Sequence, residues 1–145
     1  PYRMFMHLYE LNVQLDALRR LKRALKPGGT MVIDLFNPDI PRIAKGKSEF
    51  LMDETNEYKV WLKEEFDAYR QIVVNEFKLE KLNKSGIIEY TAKRDFKARW
   101  FYPLEFAALI FYSGFFRTEV YADYFGKKFT GAEDKMIWVL QKEAL

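Results

Sequence analysis

A chain of 145 residues that is 49% hydrophobic and 17% aromatic is sized for one domain with a real core and is too apolar to be disordered. Its 24 Lys and Arg against 21 Asp and Glu leave a net charge of +3. Both signs are interspersed, so the chain lacks the basic stripe that grips nucleic acid. The absence of cysteine excludes disulfides, thiolate metal sites and a cysteine nucleophile.

In chain order, residues 1–11 carry Tyr2, Met4, Phe5, Met6, Leu8 and Tyr9 with no clear period. Pro1 is not an initiator methionine, and the chain reads as if it begins in the middle of something. Asn12 is placed to cap a helix in which Leu15, Leu18, Leu21 and Leu25 recur at helical spacing. Arg19, Arg20, Lys22, Arg23 and Lys26 cover its other face, and Pro27-Gly28-Gly29 is expected to stop it. Thr30 to Phe36 then reads as a buried strand closing on Asp34, Phe36 and Asn37. Helix, Pro-Gly-Gly break and strand form one unit of a doubly wound sheet, in which ligands sit beyond the carboxyl ends of the strands.

Pro38 and Pro41 bracket a turn, and residues 40–46 suit a short helical piece. From Glu49 the period changes to two. Strands are expected around Val60–Phe66 and Arg70–Leu82, then a hairpin turn at Asn83-Lys84-Ser85-Gly86. In the next strand Ile88, Tyr90, Ala92, Phe96, Ala98 and Trp100 share one face, interrupted only by Arg94. That alternation predicts an antiparallel strand with one packed face and one wet face, the third of a meander of roughly fifty residues. Pro103 begins a helix at its preferred position, with Leu104, Ala107, Ala108 and Phe111 on the expected buried face and Gly114 at its end. Residues 117–125 and 135–142 read as two more strands joined by a loop at Gly126–Gly131.

The segment LKPGG followed by TMVIDLFNP resembles the helix and fifth strand of class I S-adenosylmethionine-dependent methyltransferases. The resemblance extends over nearly the whole chain. FYPLEFAALIFYSGFFRTEVYADY is similar to that family's helix, glycine turn and sixth strand, and KMIWVLQK to its seventh. Arg3-x-Phe5-x-His7-Leu8 resembles the loop that leaves the fourth strand. The implied fold is α/β: the C-terminal half of a Rossmann-like methyltransferase sheet (strands five, seven, six) with an inserted antiparallel β-meander. Residues 1–48 and 101–145 would form the partial core, and 49–100 the meander, a lid over substrate. The family's glycine-rich cofactor loop and the acidic ribose-binding residue have no counterpart. Gly28-Gly29 lies between a helix and a strand, the reverse of a dinucleotide fingerprint.

The resemblance implies S-adenosylmethionine as cofactor of the intact protein, with Tyr2, Arg3 and Met4 beside its methionine end. It implies His7 as a candidate catalytic residue and Asn37, Arg94, Arg99 and Tyr102 as candidates for the substrate side. The residues themselves also allow plainer readings. His7, the only histidine, can be a general base or a loop contact. Asn37-Pro38-Asp39 can simply turn the chain. Arg99 falls on the wet face, where an ordinary surface arginine suffices. Arg94 breaks the packed face and invites a carboxylate such as Glu76 or Glu64, or a wet cleft. The expected function is a fragment of a small-molecule methyltransferase, weak or inactive alone, and the alternative is a non-catalytic ligand- or protein-binding module. A cytoplasmic protein meeting neither nucleic acid nor membrane is expected. Its open sheet edge at residues 30–36 would be covered by a homodimer or by the rest of the enzyme.

Overall fold

The computed structural model describes residues 3–144. The chain divides into two compact units, residues 1–39 with 99–145, and residues 40–98.

The first unit opens with a single 3-10 turn, Met4–His7, and continues into helix α1, Leu11–Ala24. The N-cap is Glu10 rather than Asn12, so the helix starts two residues earlier than its polar signal suggested. It also stops before Pro-Gly-Gly. Leu25 is already extended, and the helix cannot resume beyond it, because Lys26, directly ahead of Pro27, is disfavoured in helical geometry and Pro27 has no N–H to continue the ladder. The freed carbonyl of Leu25 accepts a hydrogen bond from Lys142 Nζ at 2.6 Å. The glycines instead shape the turn into the sheet. Gly29 N–H donates to the Lys26 carbonyl at 2.9 Å, and a Cβ on Gly29 would lie 2.8 Å from that oxygen.

Strand β1, Thr30–Phe36, pairs antiparallel with the final strand rather than with a sequence neighbour. After the second unit the chain returns as helix α3, Pro103–Ser113, and the strands Arg117–Tyr121 and Lys135–Gln141. Counting the four strands of the second unit, these two are β6 and β7. The sheet order is β1-β7-β6, the five-seven-six order expected from the sequence. Alternation sets its two faces. Ile33, Leu35, Met136, Trp138 and Leu140 are buried on one, where Trp138 meets Phe106 of α3 at 5.4 Å between ring centroids. Phe5 and Phe101 complete this aromatic core, each within 5.6 Å of a neighbouring ring. On the opposite face Val32 and Phe36 are exposed.

The second unit holds a short helix α2, Ile40–Ala44, and four strands: β2, Lys47–Glu54; β3, Tyr58–Asp67; β4, Ile72–Leu82; and β5, Ile88–Arg99, whose last residue belongs to the first unit. They run as an antiparallel meander in the order β2-β3-β4-β5. The sequence reading had three strands. It missed β2, whose charged KSEFLMDE segment carries a register shift between Leu51 and Asp53 that breaks the alternation. The hairpin at Asn83 is as anticipated, with its side-chain oxygen accepting the backbone N–H groups of Ser85 and Ile87, both at 2.9 Å. The apolar face of β5 is not packed as expected: Ile88, Tyr90 and Phe96 are exposed, and burial is confined to Ala98 on this strand. Phe96 stacks instead on Phe77 of β4 at 5.6 Å.

Candidate functional site

The carboxyl end of β1 gathers a cluster of polar side chains from three segments of the first unit. Asp34 sits one turn of the pleat before the strand ends, and its carboxylate is shared. Oδ1 accepts from Arg3 Nε at 3.2 Å, and Oδ2 accepts from the Tyr124 hydroxyl at 2.8 Å. The guanidinium of Arg3 lies 3.5 Å above the Phe36 ring, so the same arginine is held by charge and by stacking. Both ionic side chains are about nine-tenths buried, at 9% and 12% exposed. Arg3 adopts left-handed backbone geometry, φ 48° and ψ 26°, which costs a non-glycine residue on the order of 1 kcal/mol and persists only where the surroundings over-determine it.

Asn37 continues this construction. Its amide donates to the carbonyls of Gly131 and Glu133 at 2.9 and 2.8 Å, and its backbone N–H to the carbonyl of Asp134 at 3.0 Å. Residue 37 therefore fastens the loop between β6 and β7 across the end of β1. The loop holds itself in the same currency. Asp123 accepts the backbone N–H groups of Lys127 at 3.0 Å and Phe125 at 2.8 Å, and Glu133 accepts that of Thr130 at 2.9 Å. These bonds, first Lys127's and Thr130's, hold the two carboxyls below their ordinary range. A carboxylate with a lowered folded value stabilises above its unfolded value and loses that contribution as pH falls through the folded one. The loop is thus expected to loosen in acid while the β1–β7 ladder persists. The amide signals of Lys127 and Thr130 should shift ahead of those of β7, and simultaneous loss of both sets would refute this.

Met4 and His7 are exposed on the 3-10 turn that begins beside Arg3, while Phe5 and Met6 anchor that turn in the core. Tyr2 lies outside the described residues. Arg99 is not the surface residue that alternation placed on a wet face. Its side chain is 13% exposed, donating to Glu105 at 2.7 Å and to Gln14 Oε1 at 2.9 Å. Gln14 in turn donates to the Leu8 carbonyl at 2.7 Å, so Arg99 braces the segment that carries His7. The alternation fails here because the chain leaves β5 and enters α3 within four residues. Tyr102 is the exposed N-cap of α3, its backbone N–H received by Glu105 at 3.2 Å.

In the second unit Arg94 is exposed, and neither expected carboxylate meets it. Glu76 takes Lys93 at 3.1 Å, and Glu64, buried, takes Arg42 and the Ser48 hydroxyl, both at 2.6 Å. What the sequence reading missed at the end of β1 was Tyr124, ninety positions from Asp34 and without any local signal. Among the described residues no cluster of metal-binding side chains occurs, and no helix is long and apolar enough to cross a membrane.

A three-stranded β1-β7-β6 sheet with α3 packed on one face through Phe106 and Trp138, and a meander inserted between β1 and α3, is a fold shared with part of several solved S-adenosylmethionine-dependent methyltransferases. The CcbJ methyltransferase from Streptomyces caelestis superposes with a TM-score of 0.82 at 20% identity, covering 97% of this chain and 58% of that one. An S-adenosylmethionine-dependent methyltransferase from Clostridium acetobutylicum gives 0.75 at 10% identity over 97% and 55%. CalS10, an amino pentose methyltransferase from Micromonospora echinaspora involved in calicheamicin biosynthesis and solved with S-adenosylmethionine bound, gives 0.65 at 15% identity over 98% and 56%. The chain thus spans somewhat more than half the length of these enzymes. No protein-family model and no curated protein matches its sequence.

Proposed function

We propose that this chain is the acceptor-side part of a methyltransferase that modifies a small molecule, weak or inactive by itself. The carrying observation is the superposition over 97% of the chain at a TM-score of 0.82 with only 58% of the matched enzyme used. Two neighbours described as an amino pentose methyltransferase and a sugar N-methyltransferase support an amino sugar as the acceptor we favour. The sequence offers candidates for one end of the cofactor only, and of these Arg3 has its guanidinium held by Asp34 and Phe36, so it would act there as a positioning residue. Arg3, Met4 and Tyr2 would neighbour its methionine end, whereas no glycine-rich loop following a strand exists in the sequence to receive the rest. No chemical step is therefore assigned to this chain alone.

In this reading His7 would handle the acceptor's proton in the intact enzyme, Tyr102 is a substrate-side residue of the first unit, and Arg94 is a substrate-side residue carried by the meander, residues 49–100 being the lid. Asn37 and Arg99, whose polar atoms are engaged by the chain itself, act as positioning residues. The exposed edge of β1 takes a strand from the remainder of the enzyme or from a second copy. The test is to read roughly a hundred codons upstream of Pro1 for a strand, a Gly-x-Gly loop and an acidic residue about twenty positions on. The longer chain should then bind S-adenosylhomocysteine in calorimetry, and the present chain should bind it far more weakly. A stop codon or an unrelated domain upstream would favour a binding module instead.

A further inference from the structure

Helix α3 is apolar on both faces, a pattern that belongs to helices covered on both sides. Its inner face, Phe106, Leu109 and Ile110, is buried in the core. Its outer face is not: Leu104 is 85% exposed, Phe111 75% and Tyr112 68%, with Ala108 exposed between them at helical spacing and Phe116 70% exposed just beyond the helix end. The Phe111 and Tyr112 rings touch edge to face at 5.5 Å, so the patch is continuous. The sequence reading placed Leu104, Ala108 and Phe111 on the buried face; the structure turns them outward.

We propose that this face is an interface between two copies of the chain. Three aromatic side chains and a leucine, each mostly exposed, offer on the order of 500 Å² of apolar surface. That approaches the ~800 Å² each partner contributes to a stable dimer and is far more than scattered surface residues leave. Charge favours self-association. From Leu104 to Phe116 the only ionic residue is Glu105, which is held by Arg99, and the neighbouring cations Arg19 and Lys22 of α1 are engaged by the Tyr112 and Gly114 carbonyls, so the helix itself brings little like charge to a second copy. Shape favours it too. Ala108 lies between bulky residues one turn to either side, so two α3 helices can cross closely at Ala108 in antiparallel fashion, each Phe111 resting against the partner's Leu104. An antiparallel crossing also sets each helix's positive end beside the other's negative end. The proposal is independent of the methyltransferase reading.

The measurement is sedimentation velocity on the full 17.4 kDa chain at tens of micromolar. A dimer is expected, with its dissociation constant raised at least tenfold by Leu104→Lys or Phe111→Asp, both at exposed positions. Because the chain has no cysteine, Ala108→Cys adds a single thiol that should link two copies symmetrically under mild oxidation. A thiol placed at Thr91 should not. A monomeric wild type overturns the proposal, as does a dimer that survives Phe111→Asp but is lost in Val32→Lys, which would place the contact at β1. Should Phe111→Asp fail to fold, cross-linking at Ala108 but not at Thr91 supports the proposal, and its absence overturns it.

Discussion

Phe106→Ala is expected to lower stability by about 3–5 kcal/mol, the largest loss from any single truncation in the first unit. Phe106 is fully buried and is the ring through which the core is connected. It touches Phe5 and Phe101 at 5.3 Å each, and Trp138 at 5.4 Å. Removing it leaves a cavity bounded by three large rings, none of which can rotate inward without leaving its own contacts. The same cluster ties the 3-10 turn to α3 and to β7, so the damage reaches the segment carrying His7. Chemical denaturation followed by near-ultraviolet circular dichroism reads both effects. Phe106→Leu, which fills most of the volume, should cost no more than about 1.5 kcal/mol. Equal losses for the two variants would show that packing at this position is not what matters.

Arg99→Met comes next, at about 2–3 kcal/mol. The substitution keeps the aliphatic stem and deletes the charge, leaving the Glu105 carboxylate without its guanidinium and fully buried Gln14 with an unsatisfied oxygen. Arg99→Lys should recover only part, because an ammonium cannot reproduce the guanidinium fork that serves both partners at once. A double-mutant cycle with Glu105→Gln should return a coupling above about 1 kcal/mol. A positioning role makes a second demand: the backbone signals of His7 and Leu8 should shift in Arg99→Met through the Gln14 bond to the Leu8 carbonyl. Shifts confined to α3 would reduce Arg99 to an ordinary stabilising ion pair.

How far the sequence carried follows from the range of the forces involved. Helix α1, strand β1, helix α3 and strand β7 were legible because each is announced by its own periodicity and its own breakers, Pro27 and Pro103 above all. The five-seven-six order came from resemblance, since no local pattern tells Thr30 that it will face Gln141. Strand β2 stayed hidden because a register shift erased its period. The outward turn of Leu104 and Phe111 and the inward turn of Arg99 were misread for a common reason. Hydropathy assigns faces by residue type, while the fold assigns them by what lies opposite. The Arg3–Asp34–Tyr124 cluster joins three segments distant in sequence; Asp34 was visible from its place at the end of a strand and Arg3 from the resemblance, while nothing local pointed to Tyr124 or to their pairing.

The chain crosses between its two units twice, and this imposes an order on how it acquires structure. Every strand contact in residues 40–98 is made with the neighbour just before or just after in sequence, so the meander can zip from short loops with little entropy to overcome. The ladder between β1 and β7 instead joins positions roughly a hundred residues apart, a closure that is slow when the intervening chain is a free coil. Once the meander has condensed, that interval is no longer a long flexible tether. The insertion therefore serves assembly as well as architecture: it shortens the effective search by which the two ends of the first unit find each other.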